Sequence, residues 1–413
     1  TIVALARLYA GTKPAALLPG LSIQRALGGE ETYRFTVALQ TATGNIGIPG
    51  GSSGGEFWGK LPGMAFPSLP VPDLSSLPAI PVYRWADAVL EGRAGGFPSD
   101  IRAIYSIGAN YLNQGSDIEK NIRAFQKADL VVTQDLFMTP TARFSDLVLP
   151  VTTSLEREDV VFPADHYLFY SAQAVDPLAD CRHDYDIFRE LAERLGFGEA
   201  YSENRSSSQW LAHLMAESGI GDIVRFKKTG ILEGADQMRV GLSRFIADPV
   251  KDPLATPSGK IQIRCEALAG TAASSLPRCR VAAPDPEFPL RMVTPHSKIR
   301  INSQNSNLPW AGRLVRQRLT MNALDGRARG IRSGDVVRVV SAQGEMEIEV
   351  RLTEDIIPGC VSLIQGAWSV RDSRGVEKGG AANSLTSTEP TLPSQGSRTH
   401  SVFVDVIPVV GVG

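Results

Sequence analysis

Three short apolar runs, separated by helix-forming stretches, constrain the fold of this chain more than any other feature. Arg102-Ala-Ile-Tyr-Ser-Ile107 reads as a strand broken by Gly108-Ala-Asn110. Ser116-Asp-Ile-Glu119 follows with the S-x-x-E spacing of a capping box, which opens a helix to about Lys127. Leu130-Val-Val-Thr-Gln-Asp135 is the next strand. Thr139 then Pro140 start a short helix, as a hydroxyl N-cap followed by proline does. Leu147-Val-Leu-Pro150 is a third strand. Strands alternating with helices predict a parallel, doubly wound sheet. Helices near Asp184 to Leu195 and Ser208 to Glu217 continue the pattern.

Upstream, Ile2 to Ala10 has helical apolar spacing, Ala15 to Gly20 reads as a short strand ending in a glycine turn, and Glu30 to Gln40 is an amphipathic helix. Gly44 to Gly55 is a glycine-rich loop, and Pro67 to Pro81 is a proline-rich excursion with no regular structure expected.

Composition shifts to Ala, Ser and Pro between residues 268 and 289, a crossover between an α/β domain (1–267) and a β-rich domain (290–413). Glu345 to Leu352 alternates strictly, placing Met346, Ile348, Val350 and Leu352 on one face. Val336 to Ser341 pairs with it across Ala342-Gln-Gly-Glu345. A helix from Asn322 to Arg329, closed by Gly330 as a left-handed cap, precedes the pair. Such a pattern describes a small barrel or sandwich.

At 413 residues the chain is long enough for two or three domains. A net charge of −2 without a long basic run gives no support to a nucleic-acid role. No apolar stretch approaches the ~20 residues that cross a bilayer. The four cysteines, Cys181, Cys265, Cys279 and Cys360, lie far apart and form no C-x-x-C pair, so neither a zinc site nor an iron–sulfur cluster has its usual spacing. The chain opens on Thr1-Ile-Val-Ala without an initiator Met, and a fragment is expected.

Function concentrates in a few places. Thr294-Pro-His-Ser-Lys-Ile-Arg-Ile-Asn-Ser303 follows the strand-like Leu290-Arg-Met-Val293 with hydroxyl, imidazole, ammonium, guanidinium and carboxamide groups. A strand end so rich in donors suits a large, polar, anionic ligand. In isolation it would read as a solvated loop. Gly108 sits where a parallel strand hands over to a helix, the edge at which open sheets bind ligands, though a single glycine turn is usually only a turn. Asp135 ends a strand, and its carboxylate can accept paired hydrogen bonds from the N1–H and exocyclic amine of a guanine. A capping Asp135/Thr139 pair without a ligand is an equal reading on local evidence. Glu156-Arg-Glu-Asp159 reads as a solvated charge run, and His166, His183 and His213 as structural, with no mutual metal spacing.

Taken together, these residues resemble the carboxyl-terminal half of the molybdopterin oxidoreductases of the DMSO reductase family. The resemblance is carried by Thr43-Gly-Asn-Ile-Gly-Ile-Pro-Gly50, Val131 to Ala142, Ser145 to Pro150 with Glu156, and Thr256 to Ile263 as the strand before the last domain. Thr294 to Ser303, Met321 to Asp325, Gly330 to Asp335, Gly379 to Thr386 and Gly396-Ser-Arg-Thr-His400 complete it. The order is that of the family across nearly the whole chain. The respiratory DMSO reductases are the nearest in flavour.

The resemblance implies a final double-psi β-barrel and a bis(molybdopterin guanine dinucleotide) cofactor with molybdenum. By match, Ser106, Gly108 and Asn110 would face pyrophosphate or ribose, while Gln134, Asp135 and Thr139 would hold a guanosine end. Thr294, His296, Lys298, Arg300, Asn302 and Ser303 would line the pterins, and Asn383, Arg398 and His400 would close over them. The family's amino-terminal half, with its 4Fe–4S cysteine motif and the Ser, Cys or Sec that ligates molybdenum, has no counterpart here. No metal ligand or catalytic residue can therefore be named. The implied activity is oxygen-atom transfer, such as S- or N-oxide reduction in anaerobic respiration. Formate, nitrate, polysulfide and arsenate are substrates of related scaffolds. Leu21 to Arg25 and Trp310 are candidates for the substrate funnel. The implied partners are an iron–sulfur electron-transfer subunit and a membrane-anchor subunit, and many relatives are exported by a twin-arginine signal. A second reading is a non-catalytic structural homologue in an electron-transfer complex.

Overall fold

The computed structural model describes residues 1–52, 66–161, 167–234, 240–271, 273–283 and 285–409. The expected parallel sheet is present, with strands β1 (Ala103–Ile107), β2 (Leu130–Asp135) and β3 (Leu147–Pro150) in that order. Its two faces carry different helices. Ile104 and Val131 pack with Leu112, Ile118 and Phe125 on one side, where helix Ile118–Lys127 crosses over. Tyr105 points the other way and meets Phe188 of helix Asp184–Arg194, with ring centroids 5.3 Å apart. Alternation along one strand thus gives each face a helix to pack against.

The start of the crossover helix departs from expectation. Its N-cap is Asp117, not Ser116: the Asp117 carboxylate accepts from the Lys120 N–H at 3.0 Å. Glu119 turns outward to pair with Arg371, and the Asp117 N–H donates to Thr386 O at 2.9 Å. Contacts from far along the chain displaced the local capping box by one residue.

A second sheet is antiparallel, made of β4 (Asp159–Val161), β5 (Tyr167–Ser171) and β6 (Ile231–Glu233). Helix Ser207–Glu217, opened by a capping box from Ser206 to Gln209, packs Leu211 and Met215 against Leu168. The expected strand at Ala15 to Gly20 is not formed, and Thr256 to Ile263 is a turn rather than a strand. Among the described residues neither has a neighbouring strand to complete a ladder. In the latter the Leu254 N–H bonds Gly259 O at 2.9 Å across a turn whose Gly259 has φ +68°. Helices form at Ile2–Gly11 and Glu30–Ala42, the first with no buried residue. Residues 53–55 of the glycine-rich loop and His166 lie outside the described residues.

Strands β7 (Leu290–Val293), β8 (Leu319–Asn322), β9 (Val336–Val340), β10 (Glu345–Thr353), β11 (Cys360–Leu363) and β12 (Val402–Pro408) close a barrel in the order β10-β8-β11-β7-β12-β9. Parallel and antiparallel pairs mix around it. The period-2 pattern puts Met292, Leu319, Met321, Val337, Val339, Met346, Val350, Val361 and Leu363 inside with almost no exposure. Leu352, expected on that face, is only partly buried and packs on Gly326 of helix Ala323–Ala328. No helix among the described residues is long and apolar enough to cross a membrane.

Residues 364–401, between β11 and β12, leave the barrel and dock on the α/β module. Asn113 bonds Ala367 O and the Ser369 N–H, Asn383 Nδ2 donates to Asn113 O at 3.0 Å and Gln114 O at 2.9 Å, and Ala381 joins the Leu112 cluster. The stretch expected to be a crossover is also pinned down: Arg34 of helix Glu30–Ala42 donates to Ser274 O and Ser275 O at 2.7 and 2.5 Å. Glu30 of the same helix receives Ser394 N at 3.0 Å and Ser394 Oγ at 2.7 Å.

Candidate functional site: a seam between the sheet edge and the barrel

Three strand ends define the carboxyl edge of the parallel sheet. At the first, Gly108 adopts φ +56°, and a Cβ built there meets nothing within 4 Å. Backbone conformation, not crowding, calls for glycine, and the space before it is open. Ser106 is buried and donates to Ala109 O at 2.8 Å. Asn110 Oδ1 accepts from the Thr141 N–H at 3.2 Å and Thr141 Oγ1 at 3.0 Å, tying the first strand end to the second. Asn110 Nδ2 is buried and has no partner among the described residues.

At the second end, Thr139 caps helix Pro140–Arg143 as the sequence indicates, accepting from the Ala142 N–H at 3.2 Å. Its hydroxyl donates to Asp135 Oδ2 at 3.3 Å, and Asp135 Oδ1 accepts from the Phe137 N–H at 3.2 Å. Both contacts are long, and the half-buried carboxylate keeps acceptor capacity. Gln134 differs from the expectation. Its side chain turns to the opposite face, fully buried, bonding Tyr105 Oη at 2.5 Å and Asp184 Oδ1 at 2.8 Å. Successive strand residues alternate sides, so Gln134 supports Asp184 while Asp135 holds the edge.

Beyond the third end opens a cleft of about 920 Å³, lined among others by Thr152, Arg157, Arg182, His183, Asp186 and Arg189. The run around Glu156 is therefore not a plain solvated face. Glu156 is nearly buried, accepting from the Thr153 and Leu178 N–H groups at 2.7 and 2.8 Å, and these bonds hold its carboxyl below the usual range. Arg157 donates to Thr152 O at 3.0 Å and lies 3.9 Å from Asp184. Arg157 and Asp184 escaped sequence reasoning because neither has a local signature. Of the histidines, His183 caps helix Asp184–Arg194 by accepting from the Tyr185 N–H, and His213 pairs with Glu217 one turn on.

The barrel side is built on Thr294 to Ser303. Thr294, Arg300 and Ser303 are buried, while His296, Lys298 and Asn302 are exposed. The Thr294 N–H donates to His400 Nδ1 at 3.2 Å, which brings the two ends of the barrel together. Burial, then the Arg25, Arg291 and His296 charges, lower the His400 pKa below its ordinary value. Arg300 bonds Gln317 at 2.5 Å, and its Nε is buried without a partner among the described residues. Arg398 pairs with Glu389 and likewise leaves Nε unpartnered. Burial draws both guanidinium pKa values down. Asn383 is occupied by the docking bonds to Asn113 and Gln114 and by Thr386 Oγ1 at 3.0 Å, so it fastens the seam.

A chain of contacts joins these groups. Gln365 reaches His296 at 2.9 Å and its N–H donates to Pro295 O at 3.0 Å. Gly366 lies against Asn302, and Trp368 Nε1 donates to Ser303 O at 2.7 Å. Ala367 and Ser369 meet Asn113, one turn from Asn110. The pterin-lining candidates and the Gly108/Asn110 turn thus belong to one seam. Gln365, Trp368 and Asn113 were not legible in the sequence, since each acts through partners more than 60 residues away. Trp310 is half-exposed and stands apart from these bonds. Among the described residues no group of three or more His, Cys, Asp or Glu could hold a metal ion.

Arg300 and Lys298 on the barrel side, with the open backbone turn at Gly108 and the amide of Asn110 on the sheet edge, are groups that fit an anionic ligand with phosphate groups. Among the described residues Asn110 Nδ2 and Arg300 Nε are buried donors without acceptors, and Arg300 has no carboxylate partner. A ligand that accepts from them would offset the cost of their burial. Arg398 Nε is likewise without a hydrogen-bond partner, as are Arg189, Arg318 and Arg371 Nε, but these four guanidinium groups pair with carboxylates.

Residues 5–194 match the molybdopterin oxidoreductase family, and residues 290–403 match the molydopterin dinucleotide binding domain. Dimethyl sulfoxide reductase DmsA of Escherichia coli (strain K12) is 34% identical over 98% of this chain and 55% of its own length. Dimethyl sulfoxide/trimethylamine N-oxide reductase of Rhodobacter capsulatus is 30% identical over 98% of this chain and 56% of its own. The chain thus spans about 55% of the length of such relatives. Acetylene hydratase from Pelobacter acetylenicus shares the fold, with a TM-score of 0.64 at 18% identity over 78% of this chain and 46% of that one. The chain belongs to the molybdopterin oxidoreductases, within the DMSO reductase family.

Proposed function

We propose that this chain grips bis(molybdopterin guanine dinucleotide) in a molybdenum oxidoreductase that reduces S- or N-oxides. The observation that carries the reading is the pair of buried donors without a partner among the described residues along the seam, Asn110 Nδ2 and Arg300 Nε. The names of the relatives, dimethyl sulfoxide and trimethylamine-N-oxide reductases, support the substrate class. When bound, the molybdenum cofactor supplies two-electron oxygen-atom transfer chemistry, and the protein supplies binding and electrostatics.

In this reading Gly108 lets phosphate approach the backbone, and Asn110 donates to it. Asp135, steadied by Thr139, accepts from the guanine edge. Arg300 and Lys298 give charge-assisted hydrogen bonds to pyrophosphate. Thr294 holds neutral His400 in one tautomer, with Nδ1 accepting and Nε2–H turned to the ligand. Ser106, Gln134 and Asn383 act one step back, by holding Ala109, Asp184 and Asn113. His296, Asn302, Ser303 and Arg398 complete the wall. The 4Fe–4S cluster, the metal's protein ligand, the electron-transfer and anchor subunits and export to the periplasm belong to the same proposal, carried by parts of the enzyme outside these residues.

The test is elemental analysis of the protein expressed from its complete gene, with release of guanosine monophosphate by acid hydrolysis. About one molybdenum and two guanosine monophosphates per polypeptide are expected for a cofactor of this kind. Asp135→Ala should lower both. Absence of molybdenum in the unmodified protein would overturn the reading.

A further inference from the structure

Arg300 is held in an unusual way for a buried cation. Among the described residues no carboxylate pairs with it, and its hydrogen-bonded partner is the neutral Gln317. That amide cannot turn over. Its Nε2 donates to Ile364 O at 2.7 Å and to Gly380 O at 2.9 Å, so Oε1 must face the guanidinium. Both carbonyls belong to the excursion that docks on the α/β module, Ile364 where it leaves the barrel and Gly380 just before Ala381 enters the Leu112 cluster.

The backbone around Gln317 fixes it further. Its neighbours Arg316 and Arg318 both pair with Glu349 of β10, which leaves Gln317 to project the other way from an extended segment. Gly380 has φ +77°, and a Cβ there would lie 2.5 Å from Gln317 Cγ. The excursion therefore presses its bare backbone onto this side chain. A glutamate in the same place would set one carboxylate oxygen against the two carbonyls, and its charge would neutralise Arg300. The neutral amide does neither.

We infer that Gln317 is a positioning residue: it orients the guanidinium of Arg300 toward the cofactor's anionic groups while leaving its charge uncompensated. The inference rests on the proposed cofactor site. It makes cofactor retention depend on an amide that touches no ligand, through Arg300 alone.

The experiment uses the protein from its complete gene and the variants Gln317→Leu, Gln317→Met, Arg300→Met and the Gln317→Met/Arg300→Met pair. Molybdenum per polypeptide is measured after dialysis against increasing sodium chloride, alongside melting of cofactor-free protein made in cells unable to build molybdopterin. Each Gln317 variant should retain about tenfold less molybdenum, the usual scale for loss of an outer-shell partner. The pair should lose no more than Arg300→Met alone, since the amide acts through that residue. Should Gln317→Leu fail to fold, Gln317→Met, close in size, decides. Wild-type retention in the Gln317 variants, or a further full loss in the pair, overturns the inference while leaving the cofactor site standing. An unmodified protein without molybdenum overturns the site itself.

Discussion

Asn113 and Ser369 meet across the seam, the Ser369 N–H donating to Asn113 Oδ1 at 2.7 Å. The same amide donates from Nδ2 to Ala367 O at 2.9 Å, so one buried side chain copies the pairing of a strand neighbour. The barrel excursion gains its register on the α/β module from this residue. Fastened there, Gly366 and Trp368 are held against Asn302 and Ser303.

Asn113→Leu leaves the Ala367 carbonyl and the Ser369 N–H without partners. Each stranded buried group costs about 1–3 kcal/mol. A loss of roughly 2–4 kcal/mol in urea unfolding is expected, with faster proteolysis within residues 364–401. Unchanged stability would mean that the seam does not depend on this amide.

Two glycines should respond to the same substitution for different reasons. In Gly366→Ala the new Cβ would fall 1.7 Å from Asn302 O at φ +88°, so the backbone must move. A marked drop in melting temperature is expected. In Gly108→Ala the Cβ meets nothing within 4 Å, leaving only the strain of a positive φ, about 1–2 kcal/mol. Cofactor binding should nevertheless fall in Gly108→Ala, because the methyl group occupies the space before the sheet edge. Equal molybdenum content in Gly108→Ala and wild type would contradict that placement.

Acid should loosen the barrel end through His400. Its folded pKa lies below the ordinary 6.5, mainly from burial, then from Arg25, Arg291 and His296. Between the two values the unfolded chain holds the extra proton, so stability is full above 6.5 and declines as pH falls toward the folded pKa. His183 is shifted the same way by burial and Arg157, and adds to the decline. His400→Asn, whose carbonyl can still accept from the Thr294 N–H, should show a flatter melting profile between about pH 7.5 and 5.5. A slope equal to wild type would assign the decline elsewhere.

The displaced cap gives a sharper contrast. Asp117→Ala removes the acceptor for the Lys120 N–H and should cost about 0.5–2 kcal/mol. Ser116→Ala removes a hydroxyl that caps nothing and should change stability by less than about 0.5 kcal/mol. The reverse order in chemical denaturation would restore the capping box that the sequence suggested.

Much of the fold was legible because it rests on local periodicity. The bounds of β2 and β3, the Thr139 cap before Pro140, Gly330 after its helix and the Val336 to Leu352 hairpin follow from alternation, capping and turn chemistry within a few residues. The expected strands at Ala15 to Gly20 and Thr256 to Ile263 failed for a related reason: apolar composition allows a strand, but only a neighbouring strand can complete its hydrogen bonds.

The sequence by itself determined the two architectures, the family resemblance and the donor-rich stretch from Thr294 to Ser303. Tertiary structure alone decided which of those donors are buried, that Gln134 turns to Asp184 and Asn383 to Asn113, and that Gln317, Gln365 and Asn113 fasten the excursion between β11 and β12. Backbone periodicity and caps are set by neighbours in the chain. Whether a polar atom finds an acceptor is set by whatever segment the fold brings against it, here one often more than a hundred residues away.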